Sequence, residues 1–165
     1  MPKALIWIDG GCAPKNPGHA GIGIVIKQKG EKTKILNRYI GVRTNNYAEY
    51  TALIVAVKYA KELGFHSVKI HSDSKLIVEQ VNGRWKIKSD GCRPLAVEAK
   101  DVLTRYYPMA WELTWVPRTQ NALADYYCTL ALNWGRMQNP WTRKRKSLPV
   151  RIIDPLSHDF ETSPQ

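Results

Sequence analysis

The stretch TNNYAEYTALIVAVKYAKELG, residues 44–64, decides the fold class. Before it, apolar residues come in short β-rich runs. From Tyr47 onward the period changes, and Leu53, Ala56, Val57, Ala60 and Leu63 fall on one helical face. Asn45 or Asn46 can cap the start of this helix, and Gly64 is placed to end it. A helix set between strands on both sides points to an α/β chain.

Upstream, Ala4–Ile8, Gly21–Lys27 and Lys34–Val42 read as three strands, with Gly10–Gly18 a loop and Lys29-Gly30 a turn. Short connections make these an antiparallel meander. Downstream, Val68–Ser72 reads as a fourth strand. A short helix over Ser74–Val81 is closed by Asn82-Gly83, and a further helix over Pro94–Tyr106 is stopped near Pro108. Trp111–Val116 is the fifth strand. A last helix runs from Ala122 to Trp134 with Asn121 as its cap and Leu123, Leu130 and Ala131 among its buried positions. The order is βββαβααβα. Strands separated by helices require parallel pairing, so the expected sheet is five-stranded and mixed, three antiparallel strands and then parallel crossovers, flanked by helices.

With 165 residues, one core is the default. A hydrophobic share of 44% argues against disorder. No run nears the roughly 18 apolar residues of a membrane span, so no membrane partner is expected. Met1–Ile8 does not read as a signal peptide. Cys12, Cys92 and Cys128 are odd in number and widely spaced, against both a disulfide framework and a zinc site, and a cytoplasmic setting follows. The net charge is +11, from 25 bases and 14 acids, which makes polyanions the expected partners. Six of those bases and three acids fall behind Trp134; the remaining 19 bases and 11 acids still give the body +8. We therefore read residues 1–134 as one domain and 135–165 as a basic tail. Trp141–Lys146 could add phosphate contacts, the tail could pack back through Val150, Ile152 and Ile153, or it could be a plain extension.

Four carboxylates stand at element ends. Asp9 ends the first strand, Asp73 the fourth, and Glu49 and Asp125 lie in the first turns of the first and last helices. If strands one and four are parallel neighbours, Asp9 and Asp73 emerge on the same edge, and helices packed across it supply the other two. Any one of these acids is ordinary, since acids suit first helical turns and strand ends. A cluster of four repels itself unless a cation is bound. Carboxylates suit a hard cation such as magnesium, whereas zinc would recruit His or Cys, and His19, His66, His71 and His158 form no ligand motif. Two metals about 3.5–4 Å apart could clamp a scissile phosphate, which is the chemistry of phosphodiester hydrolysis.

Four ordered blocks carry a family resemblance: Ile8-Asp9-Gly10-Gly11 with Asn16-Pro17-Gly18, Thr44 through Glu49, Ser72-Asp73-Ser74, and Val116-Pro117-Arg118 leading to Asn121-Ala122-Leu123-Ala124-Asp125. Over about residues 3 to 133 the chain resembles the type 1 ribonuclease H family. The resemblance implies a ribonuclease H-like fold and an endonuclease that cuts the RNA strand of an RNA/DNA hybrid, leaving 5′-phosphate and 3′-hydroxyl ends. It implies that Asp9, Glu49, Asp73 and Asp125 hold two Mg2+ ions, Asp9 bridging them, with Mn2+ able to substitute. Asn16, Asn45, Asn46 and the backbone amides near Gly11 and Cys12 match positions suited to sensing a 2′-hydroxyl, and Thr44 matches one that holds a DNA-strand phosphate. The asparagines also suit simple turn and cap duty.

Two departures matter. Many relatives carry a histidine in the loop before the last aspartate; Pro117–Asn121 has none, and Arg118 is the nearest candidate. Arginine stays charged, so it can stabilise phosphate but cannot be a general base. Between Ser74 and Pro94 only a short segment stands where some relatives insert an extra helix and a basic loop. There Arg84, Lys86, Lys88 and Arg93 with Trp85 make a basic, aromatic-bearing patch able to contact a DNA backbone, although Trp85 equally fits a core position. This compact form resembles archaeal-type and some bacterial members. A monomer is expected, with no separate hybrid-binding module in front of the domain. Two other readings stay open: a catalytically silent nucleic-acid-binding module on the same fold, and a related nuclease acting on double-stranded RNA or within a transposase-like system.

Overall fold

A computed structural model describes residues 3–88 and 91–138. Most of the 135–165 tail therefore lies outside the described residues. Three strands, β1 (Lys3–Ala13), β2 (Gly18–Lys27) and β3 (Lys34–Arg43), pair antiparallel in chain order. Strand β4 (Ser67–Ser72) lies parallel on the free side of β1, and β5 (Trp111–Trp115) lies parallel to β4, giving the order β3-β2-β1-β4-β5. The helices are α1 (Asn45–Glu62), α2 (Lys75–Val81), α3 (Arg93–Tyr106) and α4 (Ala122–Met137), with a 3-10 turn at Arg118–Gln120 before α4. The expected five-stranded mixed sheet is the observed one.

Strand alternation divides the sheet into two faces. Ala4, Ile6 and Ile8 of β1, with Ile22, Ile24 and Ile26 of β2 and Val68 and Ile70 of β4, form one core with α1. Half of the 18 residues of α1 are buried, because the sheet covers one side of it and α3 another. On the opposite face α4 lies across β1, β2 and β3 with a small-residue surface, Ala124, Cys128, Ala131, Leu132 and Gly135. That close approach depends on Gly23 of β2, where a Cβ would overlap the Ala124 carbonyl and the Cys128 amide. Among the described residues no helix is long and apolar enough to cross a membrane.

Several boundaries differ from expectation, each for a reason of tertiary pairing. Residues 10–13 belong to β1 rather than to a loop, since their backbone groups pair with β2 as far as Ala13 opposite His19. Asp9 is therefore inside β1, although it is the first residue past the parallel ladder with β4, which ends at Ile8 opposite Ser72. Helix α1 starts at Asn45, capped by Thr44 rather than by an asparagine: the Thr44 hydroxyl accepts from the Tyr47 N–H at 3.1 Å. Glu49 thus falls in the second turn. The residue at the N-cap position of α4 is Asn121, yet its side chain makes no capping hydrogen bond. Leu123 is 43% exposed and Leu130 half-buried, because the sheet-facing stripe runs through the small residues instead.

The Thr44 cap supports a direct prediction. Thr44→Ala removes the acceptor for the Tyr47 N–H and is expected to cost about 1 kcal/mol. Thermal unfolding should show this as a loss of roughly 2–4 °C; an unchanged midpoint would mean that water serves the helix start as well as the hydroxyl does.

Candidate active site

The parallel β1–β4 ladder ends at the Ile8–Ser72 pair, which sets Asp9, still within β1, beside Asp73, which is the first residue beyond β4 rather than its last. Gly10 then brings in the third acid. A Cβ at Gly10 would overlap the Ala48 carbonyl and the Glu49 amide, so its absence is what lets α1 close on β1 at this point. Asp9, Glu49 and Asp73 each offer a carboxylate oxygen, and these oxygens lie within 4.8 Å of one another.

Burial and mutual repulsion dominate the electrostatics. Asp9, 7% exposed, has its pKa pushed up to about 8, first by burial and then by the Asp73 and Asp125 carboxylates, against a smaller opposing effect of the Gly10 amide. Glu49 is held well above the usual carboxylate range by burial and then by Asp9 and Asp73. Asp73 is raised mainly by burial, with the Arg118 guanidinium and the Asn121 amide acting the other way. Part of the Glu49 side chain remains accessible, but its Oε2 is buried with no hydrogen-bond partner among the described residues. Three converging carboxyl groups with an orphaned buried oxygen form an all-oxygen donor set, which is what a hard divalent cation takes.

The fourth acid is placed differently. Asp125, in the first turn of α4, lies beside Asp9 but outside the tight trio, its Oδ1 3.4 Å from the guanidinium of Arg118. Arg118 is mostly exposed and its field also reaches Asp73, Asp9 and Glu49. It is thus a cation that faces the acidic cluster among the described residues.

The expected hybrid-contacting residues fall into two groups. At the rim of the site Asn16 Oδ1 accepts from the Asn45 N–H at 3.0 Å, and Asn45 Oδ1 accepts from the Cys12 N–H at 2.9 Å and from its thiol at 3.2 Å. The asparagines therefore do serve the backbone, clasping the end of β1 and the segment behind it to the start of α1. Thr44, Asn45 and Asn46 stay exposed, and Gly11 lies next to Asn45. In the second group Trp85 is 46% exposed, which excludes the core alternative. Lys86 and Lys88 are exposed beside it, whereas Arg84 is engaged in a bidentate pair with Glu79 at 2.7 Å on both arms. Arg93 reaches back to the Ile87 carbonyl at 3.3 Å.

Three residues around the acids have roles that sequence reading missed. Gly10 read as loop because Gly-rich runs usually are. Asn121 read as a cap, but its Nδ2 donates instead to the Ile8 carbonyl at 2.8 Å. Trp115 read only as part of a strand; its indole Nε1 donates to the Asp73 carbonyl at 3.1 Å. The one available signal was position, since Gly10 and Asn121 sit within the same short blocks as Asp9 and Asp125.

Residues 8–131 match the reverse transcriptase-like family. The bifunctional protein Rv2228c of Mycobacterium tuberculosis is 39% identical over 125 residues, 74% of this chain and 34% of that protein. Ribonuclease HI of Halobacterium salinarum is 35% identical over 124 residues, 74% of this chain and 61% of that one. The chain thus spans about a third of the mycobacterial relative's length and under two thirds of the halobacterial one. The crystal structure of RNase H1 from H. salinarum NRC-1 superimposes with a TM-score of 0.74 at 33% identity, covering 79% of this chain and 98% of that one. LC11-RNase H1, solved in complex with RNA/DNA hybrid, gives 0.74 at 33% identity, covering 81% and 99%.

Proposed function

The chain belongs to the type 1 ribonuclease H family, and on that premise we propose that it is a metal-dependent endoribonuclease that hydrolyses the RNA strand of RNA/DNA hybrids. The observation that carries the reading is the Asp9–Glu49–Asp73 trio, three oxygens within 4.8 Å with one of the buried carboxylate oxygens unpartnered. Asp9, Glu49 and Asp73, with Asp125 beside Asp9, are the residues that would hold two Mg2+ ions, and Mn2+ has the oxygen affinity to replace them. When bound, such ions supply an activated water at neutral pH and charge neutralisation at the scissile phosphate.

The chain's own side chains do the rest. Asp9, just past the end of the parallel ladder, faces every other acid of the cluster, so it would contribute to holding either ion. Arg118 keeps its charge at all working pH values, so its part is to attract and stabilise phosphate oxygens beside Asp125, not to accept a proton. The Cys12–Asn16–Asn45 clasp occupies the Cys12 and Asn45 backbone amides and presents the side-chain amide nitrogens of Asn16 and Asn45 as the groups to donate to a 2′-hydroxyl. Thr44 and Asn46 stand at the same exposed helix start, where an anionic phosphate is favoured. Trp85, Lys86 and Lys88 offer stacking and charge to the DNA strand. Arg84 contributes less, because Glu79 already neutralises it. We assign this chemistry to the domain read over residues 1–134, whose last helix continues to Met137, with the basic tail behind it, in a monomer working in the cytoplasm.

Labelled RNA/DNA hybrid, duplex RNA and duplex DNA, each incubated with Mg2+, Mn2+ or EDTA, test the reading. The expected result is RNA-strand cleavage of the hybrid, with 5′-phosphate ends, in either metal and none in EDTA. Cutting that survives EDTA would overturn the metal chemistry. Hybrid bound but never cut would mean a silent binding module, and preferential cutting of duplex RNA would move the substrate assignment.

A further inference from the structure

One side chain from a third element reaches β1 where its parallel pairing with β4 stops. Asn121 precedes α4, is 1% exposed, and donates its Nδ2 to the Ile8 carbonyl at 2.8 Å across a separation of 113 residues. A carbonyl can only accept, which fixes the orientation of the amide: the nitrogen faces β1. The Ile8 carbonyl it holds belongs to the last pair of the parallel ladder, opposite Ser72, one residue before Asp9 and Asp73. A capping asparagine would aim its oxygen at a free N–H of the first helical turn. Here Oδ1 is buried without a partner among the described residues. The side chain thus forgoes capping and an acceptor bond in order to hold β1.

Resting on the reading of the acidic trio as a cation site, we propose that Asn121 is a positioning residue for the metal-binding carboxylates, a bridge from the start of α4 to the Ile8 carbonyl at the last rung of the β1–β4 ladder that fixes the direction of Asp9 and so its spacing from Asp73. The mechanics follow from backbone rigidity. The Ile8 carbonyl and the Asp9 amide share one planar peptide, so holding the first orients the second, and with it the direction in which Asp9 leaves the strand. Without the bridge, Asp9 is free to turn away from Asp73, and a cation must then draw the two carboxyl groups together at a loss of affinity. The asparagine clasp at the rim, which handles the hybrid, is left as it was.

Asn121→Ala removes the bridge, and Asn121→Asp keeps its shape while turning an oxygen towards the Ile8 carbonyl. Calorimetric titration with Mg2+ alone is expected to show affinity reduced roughly 10- to 100-fold in either variant. In hybrid cleavage the half-saturating Mg2+ concentration should rise in step, while KM for the hybrid stays within about twofold, since a residue acting through the metal ligands leaves substrate contacts untouched. A folded variant with a lowered unfolding temperature but unchanged Mg2+ affinity would overturn the proposal and leave Asn121 a purely structural residue. Should neither variant fold, the wild-type protein decides: the Asn121 side-chain amide protons, followed by NMR through a Mg2+ titration, should shift with saturation, and resonances unmoved at saturating Mg2+ would overturn the role. Wild-type protein that neither binds Mg2+ nor cuts hybrid would bring down the nuclease reading and this role together. Normal wild-type behaviour beside an unaffected variant would bring down this role alone.

Discussion

Asp9→Asn is expected to lower hybrid cleavage by at least about 10³-fold while making the metal-free protein more stable. Both effects have one cause. Asp9 is buried against Asp73 and Glu49 and beside Asp125, and its folded-state pKa of about 8 stands far above the 3.8 of an exposed carboxyl. The folded protein therefore binds more protons than the unfolded chain between about pH 4 and pH 8, and its stability falls as pH rises through that window. Asparagine has no charge to repel. In EDTA at pH 8 the variant should gain on the order of 2 kcal/mol, or roughly 4–8 °C in unfolding temperature, and the gain should vanish near pH 4. Saturating Mg2+ should reverse the order by stabilising the wild-type protein alone. A variant no more stable than wild type at pH 8 without metal would show that the cluster is not electrostatically strained; a variant retaining a tenth of the activity would remove Asp9 from catalysis.

Gly10→Ala is expected to damage both stability and turnover. A methyl group at this position overlaps the Ala48 carbonyl and the Glu49 amide, which are backbone atoms in the middle of a helix turn and cannot swing aside. Helix α1 must back away from β1, at about 2–3 kcal/mol for the overpacking, or roughly 5–10 °C in unfolding temperature. Glu49 moves with the helix, and a displacement of about 1 Å at a catalytic site costs on the order of 10²-fold in rate. Gly11→Ala is the stability control. Its Cβ would meet Asn45 Oδ1 at 3.8 Å and Cys128 Sγ at 3.9 Å, ordinary contacts, so its unfolding temperature should stay close to that of the wild type. Equal destabilisation by the two substitutions would show that the effect belongs to glycine in a strand and not to the α1 approach.

The two predictions differ in how far the sequence alone supports them. Asp9 was legible as one of an acidic set because four carboxylates at element ends repel one another without a cation, although any one of them alone is ordinary. Gly10 was not, because nothing local distinguishes a glycine in a turn from one that a helix backbone presses against. The same limit explains residues 10–13. Their Gly content and the prolines behind them signal a loop, yet their N–H and C=O groups are satisfied by a strand whose partner residues, such as Gly21 and Ala20, lie around ten positions away. Thr44 outcompeted Asn45 and Asn46 as the cap for a related reason: both asparagine backbones already belong to the helix, and Asn45 is engaged with Cys12 and Asn16.

By itself the sequence determined the order βββαβααβα, the mixed five-stranded sheet and the acids that would meet, because hydrophobic period, turn residues and strand-terminal charges are properties of neighbours a few positions apart. The tertiary structure alone decided which acids form the tight trio and which stands beside Arg118. It also turned Leu123 outward, exposed Trp85, and gave Asn121 to Ile8 instead of to its own helix. Those outcomes depend on strand register and on how closely two backbones approach, and both are set by residues far apart in the chain.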